Sequence, residues 1–173
     1  MKSKLPIIIF GYAFPHKKTC DFLSLMVDMG FEDLHVIGAP KILLKGNQES
    51  KLNEDYSSKF DVKKRCSLLN ISFTECMHDN VKEINEIKKS IGAEIAIISG
   101  ARILKAKIIR LFSEGVVNFH PGKIPETSGL DSFYYTIKNQ IPMGVTAHLI
   151  DYRVDAGNFI FFETLRICKD DTF

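Results

Sequence analysis

Hydrophobic spacing along the chain switches repeatedly between two periods. Residues 5–10 form an unbroken, β-rich apolar run that Gly11 is expected to close, and Phe22, Leu25, Met26 and Met29 then recur at helical spacing ahead of Gly30. Residues 34–37 read as a second strand, broken by Gly38-Ala39-Pro40, and the polar stretch 47–58 reads as loop. Residues 71–76 predict a strand. Asp79 or Asn80 then caps a helix with Val81, Ile84, Ile87 and Ile91 on one face and Gly92 at its end. Residues 94–99 predict another strand. Leu104, Ile108 and Leu111 predict a short amphipathic helix ended by Gly115, and residues 116–119 the next strand. A helix over 132–139 follows, then strands over 144–150 and 158–165 with no helix between them, which makes that pair antiparallel.

Short continuous apolar runs separated by helical spacing describe strands buried on both faces and joined by crossover helices. The expected fold is therefore α/β: a Rossmann-like, mostly parallel twisted sheet with helices on both faces and an antiparallel strand pair near the C-terminus. At 173 residues the chain suits one domain spanning 1–173. The first strand-to-helix turn, Gly11-Tyr12-Ala13-Phe14-Pro15-His16, matches neither the dinucleotide fingerprint nor a Walker A loop, which disfavours a Rossmann dehydrogenase or a P-loop enzyme.

Charge narrows the partners. A formal net charge of +2 is too small for a general polyanion-binding surface, so no nucleic-acid partner is expected, and the run Lys63-Lys64-Arg65 reads as a solvated helix face. Cys20, Cys66, Cys76 and Cys168 form no C-x-x-C pair, which points to reduced thiols in a cytoplasmic protein without a metal. The apolar run over residues 7–10 is too short for a signal peptide or a membrane span, and no membrane partner is expected.

The chemistry concentrates in Val117-Asn118-Phe119-His120-Pro121, at the end of a buried strand, where α/β sheets build their sites. Two-residue spacing puts Asn118 and His120 on one face, and their N–H donors suit an oxyanion that develops during acyl transfer. The competing reading is a satisfied polar pair capping a strand. Asp155, in a loop bounded by Gly157, is placed to ion-pair with His120 and to receive a proton, or else is a turn residue making its own Asx bond. His148, taken alone, reads better as an ordinary half-buried histidine.

These segments resemble the folate-dependent formyltransferase family. The resemblance is carried by Asn118-Phe119-His120-Pro121, Ile124-Pro125, Gly129-Leu130, Gly144-Val145-Thr146-Ala147-His148 and Val154-Asp155-Ala156-Gly157, and upstream by Ser99-Gly100-Ala101-Arg102-Ile103-Leu104. The family includes glycinamide ribonucleotide, methionyl-tRNA and nucleotide-linked amino-sugar formyltransferases and the formyltetrahydrofolate deformylases. The resemblance implies that Asn118 and His120 polarise the formyl oxygen of 10-formyltetrahydrofolate while Asp155 governs proton traffic. It also implies that Arg102, Ile103, Leu104, Asp151 and Val154 hold the pterin. Gly11, Tyr12, Lys17 and His148 are the acceptor-side candidates. The expected partner is a small, phosphate-bearing primary amine, with a second copy of the chain as a further one.

Four departures from the family pattern bear on the reading. His120-Pro121-Gly122 stands where the family usually has His-Pro-Ser, and Glu126-Thr127-Ser128-Gly129 lacks the usual aromatic-basic pair. The first turn lacks the small-residue phosphate loop of glycinamide ribonucleotide enzymes. Asp170-Asp171-Thr172-Phe173 closes the chain where relatives begin another helix, so a shortened form is expected. A nucleotide-linked amino sugar is the favoured acceptor, glycinamide ribonucleotide the alternative. A deformylase using water, or a non-catalytic folate-binding module, are the competing classes.

Overall fold

In the computed structural model, which describes residues 5–42, 54–129, 131–153 and 155–166, seven strands form one sheet in the order β3-β2-β1-β4-β5-β6-β7. The strands are β1 (Ile7–Tyr12), β2 (Leu34–Ala39), β3 (Ser72–Glu75), β4 (Ile95–Ile98), β5 (Gly115–His120), β6 (Gly144–Ile150) and β7 (Gly157–Thr164). The helices are α1 (Lys17–Asp28), α2 (Glu54–Lys59), α3 (Val62–Leu68), α4 (Val81–Ile91), α5 (Ala106–Ile109) and α6 (Ser132–Lys138). The first five strands in the sheet order pair in parallel, and β5–β6 and β6–β7 pair antiparallel. The expected α/β fold with its antiparallel pair is the fold observed.

The two-sided burial of β1 is the physical reason for this architecture. Ile7 and Ile9 enter a core that includes Leu23 and Met26 of α1 and Val62 and Cys66 of α3. Ile8 and Phe10 enter the opposite core, with Ile84 of α4 and Ile108 of α5. Alternate residues of one strand thus anchor two helical layers, which a continuous apolar run supplies and an alternating one does not.

Several local expectations shift. Gly11 does not close β1: the strand runs on to Tyr12, and Gly11 pairs with Gly38 of β2. The buried face of α1 carries Thr19, Cys20, Leu23 and Met26, whereas Leu25 and Met29 are exposed. Part of the expected loop 47–58 is the helix α2, whose Tyr56 ring packs 4.7 Å from that of Phe60. Asn80, not Asp79, caps α4: its carbonyl accepts from Glu83 N, and its amide donates to the Glu83 carboxylate at 2.7 Å, a reciprocal cap. Gly92 ends α4 at φ 70, the left-handed geometry that favours glycine there. Lys63 and Lys64 of the basic run are exposed on α3, and Lys63 pairs with Glu75.

The chain leaves β1 toward β2 on one side and reaches β4 on the other, so the carboxyl ends of β1 and β4 open a crevice between the segments that follow them. Ser99 and Gly100 fasten that crevice by donating their amides to Phe10 O. No helix of the described residues is long and apolar enough to cross a membrane.

Candidate active site

Asn118 and His120 end β5, and their antiparallel partners on β6 are His148 and Thr146. Period-two alternation puts all four polar side chains on one face of the sheet, so a buried strand pair carries a polar patch at its end. Asp155 reaches the same patch from the loop before β7, with its carboxylate 3.4 Å from His120 Nδ1. The three residues expected to converge do so, on the wall of a cavity of about 780 Å³.

Each side chain is held by specific bonds. The Asp155 carboxylate accepts from Gly129 N at 2.6 Å, which ties the β6–β7 loop to the segment before α6. The two His120 ring nitrogens are both engaged: Nδ1 faces Asp155, and Nε2 lies 2.8 Å from Thr127 O. A carbonyl only accepts, so Nε2 carries a hydrogen. Asn118 Nδ2 lies 3.2 Å from His148 Nε2, and His148 Nδ1 lies 3.3 Å from Ala156 O. By the same argument His148 donates from Nδ1 and accepts at Nε2, which fixes which end of the Asn118 amide is the nitrogen. One hydrogen of that nitrogen is taken by His148, and among the described residues the second has no partner. Burial chiefly pushes the His148 pKa below its ordinary 6.5, in keeping with a neutral ring.

The cavity wall also carries Tyr12, Arg102, Ile103, Leu104 and Asp151 from the expected binding set. Leu104 is buried and Ile103 is largely exposed, so this short segment offers one apolar anchor and one free edge. Hydrogen bonds from Arg153 hold the Asp151 carboxyl below its ordinary range. Val154 lies outside the described residues. Among the described residues no group of three or more His, Cys, Asp and Glu side chains is arranged to hold a metal.

Three acceptor-side candidates are placed elsewhere. His148 is 2% exposed behind Asn118 and off the cavity wall, so it acts on the site through Asn118. Gly11 is buried inside the strand ladder, where a Cβ would meet Thr19 and Ser99 at 3.1–3.4 Å. Lys17 pairs with Asp21 and lines a neighbouring groove with Lys18, Phe22 and Tyr56. That groove meets the main cavity at His16 and Lys18.

Sequence reasoning missed His16 and Thr127. His16 caps α1, its Nδ1 accepting from Thr19 N at 3.2 Å. Histidine is not a favoured N-cap residue, so no local signal announced it. Burial, then the charge of Lys18, hold its pKa below the ordinary 6.5. Gly100 closes this corner of the site, where a Cβ would lie 2.8 Å from the His16 ring and 2.9 Å from that of Tyr12.

The family model described as formyl transferase matches residues 35–173. Among curated relatives, the phosphoribosylglycinamide formyltransferase of Haemophilus influenzae is 24% identical over 91 residues, which is 51% of this chain and 43% of that protein. The GDP-perosamine N-formyltransferase of Brucella melitensis is 24% identical over 168 residues, 96% of this chain and 59% of that protein. The chain therefore spans about half the length of these relatives. Among solved structures, the phosphoribosylglycinamide formyltransferase from Anaplasma phagocytophilum superposes with a TM-score of 0.70 at 14% identity, covering 98% of this chain and 76% of that one. A sugar N-formyltransferase from a Shewanella species gives 0.60 at 18% identity, covering 97% and 60%. At such identities the structural likeness speaks for the fold alone. The family model, matching most of the sequence including every residue of the polar patch, shows that the chain belongs to the formyl transferase family.

Proposed function

We propose that the chain transfers a formyl group from 10-formyltetrahydrofolate to the primary amine of a phosphate-bearing acceptor, with a nucleotide-linked amino sugar as the favoured acceptor. The observation that carries this reading is the convergence of Asn118, His120 and Asp155 on one cavity wall. The cavity, at about 780 Å³, falls in the range of pockets that enclose ligands of folate size. Leu104 and Ile150 supply apolar wall for a pterin, and Arg102 and Asp151 supply polar edges.

The neutral amine nitrogen attacks the formyl carbon, forming the new C–N bond while the carbonyl electron pair moves onto oxygen. The second N–H of Asn118 offers a fixed donor for that oxyanion, since His148 anchors the amide through the other hydrogen. The attacking nitrogen becomes cationic and gives a proton to the Asp155 carboxylate, which His120 supports from Nδ1. The C–N bond to the folate then breaks, and the departing nitrogen takes up a proton, leaving tetrahydrofolate and the formamide. No residue of the chain becomes acylated.

The choice of acceptor rests on the first turn. The His16 ring accepts from Thr19 N and the Tyr56 hydroxyl faces Lys17 N at 3.4 Å, so two of the first amides of α1 are already engaged, which disfavours a phosphate cradle of the kind associated with glycinamide ribonucleotide. The relative aligned along 96% of the chain formylates a nucleotide sugar by its name, GDP-perosamine N-formyltransferase. Incubation with 10-formyltetrahydrofolate and separate amines, read as tetrahydrofolate released, tests the reading. Amine-dependent release with a nucleotide amino sugar is the expected result; release at equal rate without any amine would identify a hydrolase instead.

A further inference from the structure

We propose that Thr127 is a positioning residue for His120, and that glycine is required at position 122 because only glycine lets Thr127 reach it. The Thr127 carbonyl lies 2.8 Å from His120 Nε2 and so fixes the hydrogen on that nitrogen. The pair's exchangeable proton is thereby confined to the Nδ1 side, between the imidazole and Asp155.

The turn that delivers this carbonyl is pinned from both sides. Thr127 donates its amide to Lys123 O at 2.8 Å and its hydroxyl to the same oxygen at 3.0 Å, with the residue 2% exposed. On the sheet side, Thr146 donates its hydroxyl to Gly122 O at 2.6 Å and accepts from Ile124 N at 3.3 Å. A Cβ at position 122 would lie 2.2 Å from Thr127 Oγ1 and 3.2 Å from His120 Nε2. The first distance is a collision. The glycine following His120-Pro121 is therefore coupled to the threonine five residues on: one makes the space the other fills.

The consequence concerns which atom handles the proton. With Nε2–H bound to a backbone oxygen, His120 serves the reaction through Nδ1 and Asp155, and Asn118 carries the oxyanion. This rests on the transfer reading for its kinetic readout only, because the tautomer is measurable with no substrate present.

The test is ¹⁵N NMR of histidine-labelled protein, with the His120 signals assigned by their loss in His120→Gln. The expected result is a hydrogen on Nε2 from pH 6 to 8. In Gly122→Ala that signature is expected to disappear, and kcat to fall on the order of 10²-fold. Adding Thr127→Ala to Gly122→Ala removes the colliding hydroxyl, and the double variant is expected to regain the Nε2–H signature and at least tenfold in kcat. A parent protein whose His120 carries its hydrogen only on Nδ1 overturns the proposal whatever the variants do. So does a Gly122→Ala variant with an unchanged His120 signature. Should the signature behave as expected while no amine is formylated, the transfer reading fails and the positioning role stands.

Discussion

Replacing His148 by phenylalanine tests the least visible part of the site. The ring is 2% exposed and makes two bonds, accepting from Asn118 Nδ2 at 3.2 Å and donating to Ala156 O at 3.3 Å. Phenylalanine keeps a flat ring there and removes both bonds. Leaving a buried polar group unpaired costs about 1–3 kcal/mol, so His148→Phe should lower stability by that amount or somewhat more. The kinetic cost comes through Asn118. Freed from its anchor, the amide samples three staggered wells and two orientations of its O and N, which dilutes the productive arrangement roughly sixfold. Complete loss of the donor would cost about 10² to 10³. The expected fall in kcat lies between those limits, with KM for the folate little changed because His148 is off the cavity wall. In His148→Gln an amide oxygen can replace Nε2 as acceptor, and most of the rate should return. Initial rates of tetrahydrofolate release, beside thermal melts that confirm folding, provide the measurement. A folded His148→Phe protein with kcat within twofold of the parent would refute the reasoning.

Acid should destabilise the fold through its histidines. Burial is the largest cause holding the pKa values of His16, His35, His78 and His148 below 6.5, so below that pH the unfolded chain binds protons that the folded chain resists. Stability is then full above pH 6.5 and declines as the pH falls below it. The melting temperature should drop between pH 7 and pH 5, and a flat profile would contradict the assignment. Ile84 is fully buried in the core around α4 and α5, so Ile84→Ala should cost about 2–5 kcal/mol in denaturant melts with an unchanged slope. Gly38→Ala sets a Cβ 2.5 Å from the Phe73 ring and 3.2 Å from Ala13 N, which should cost about 1–3 kcal/mol; a melt identical to the parent's would show that β3 yields freely. Arg153→Ala removes the partner that lowers the Asp151 carboxyl, and it should weaken binding of a folate analogue measured by calorimetry while sparing kcat.

Strands β1, β2, β4 and β5 were legible because each is a short apolar run that sends residues into both cores, a pattern that leaves little choice of partner layers; β3 has no buried residue and β7 is exposed along most of its length, so those two are not doubly buried strands. The inner face of α1 was not. Thr19 is fully buried because His16 and Ser99 satisfy its hydroxyl, bonds of 2.7 and 3.1 Å that reach from the preceding loop and from the residue just after β4. With that polar residue turned inward, Leu25 and Met29 face solvent, against the apolar count. The helix α2 was hidden by its polar neighbours, although the spacing of Tyr56 and Phe60, four apart, was a signal available in the sequence. That Asn118, His120 and Asp155 meet was legible because strand alternation and a loop carboxylate are local features with chemical meaning.

What the sequence does not display is how those three are held, because, apart from the His148 ring behind Asn118, the holding groups belong to the backbone. Thr127 O decides where His120 carries its hydrogen, and Ala156 O decides it for His148, which in turn orients Asn118. Any residue supplies a carbonyl, so the identities at 127 and 156 announce nothing about these bonds. Their trace is indirect: a glycine at position 122 where a side chain would collide, and the hydroxyl of Thr146 bound to the oxygen of that glycine. Both proton positions are therefore set by loop geometry, and two chains with the same three side chains can differ in which nitrogen is free to act. A change in the turn over residues 122–127 reaches the reaction through the imidazole it orients, without touching a substrate atom.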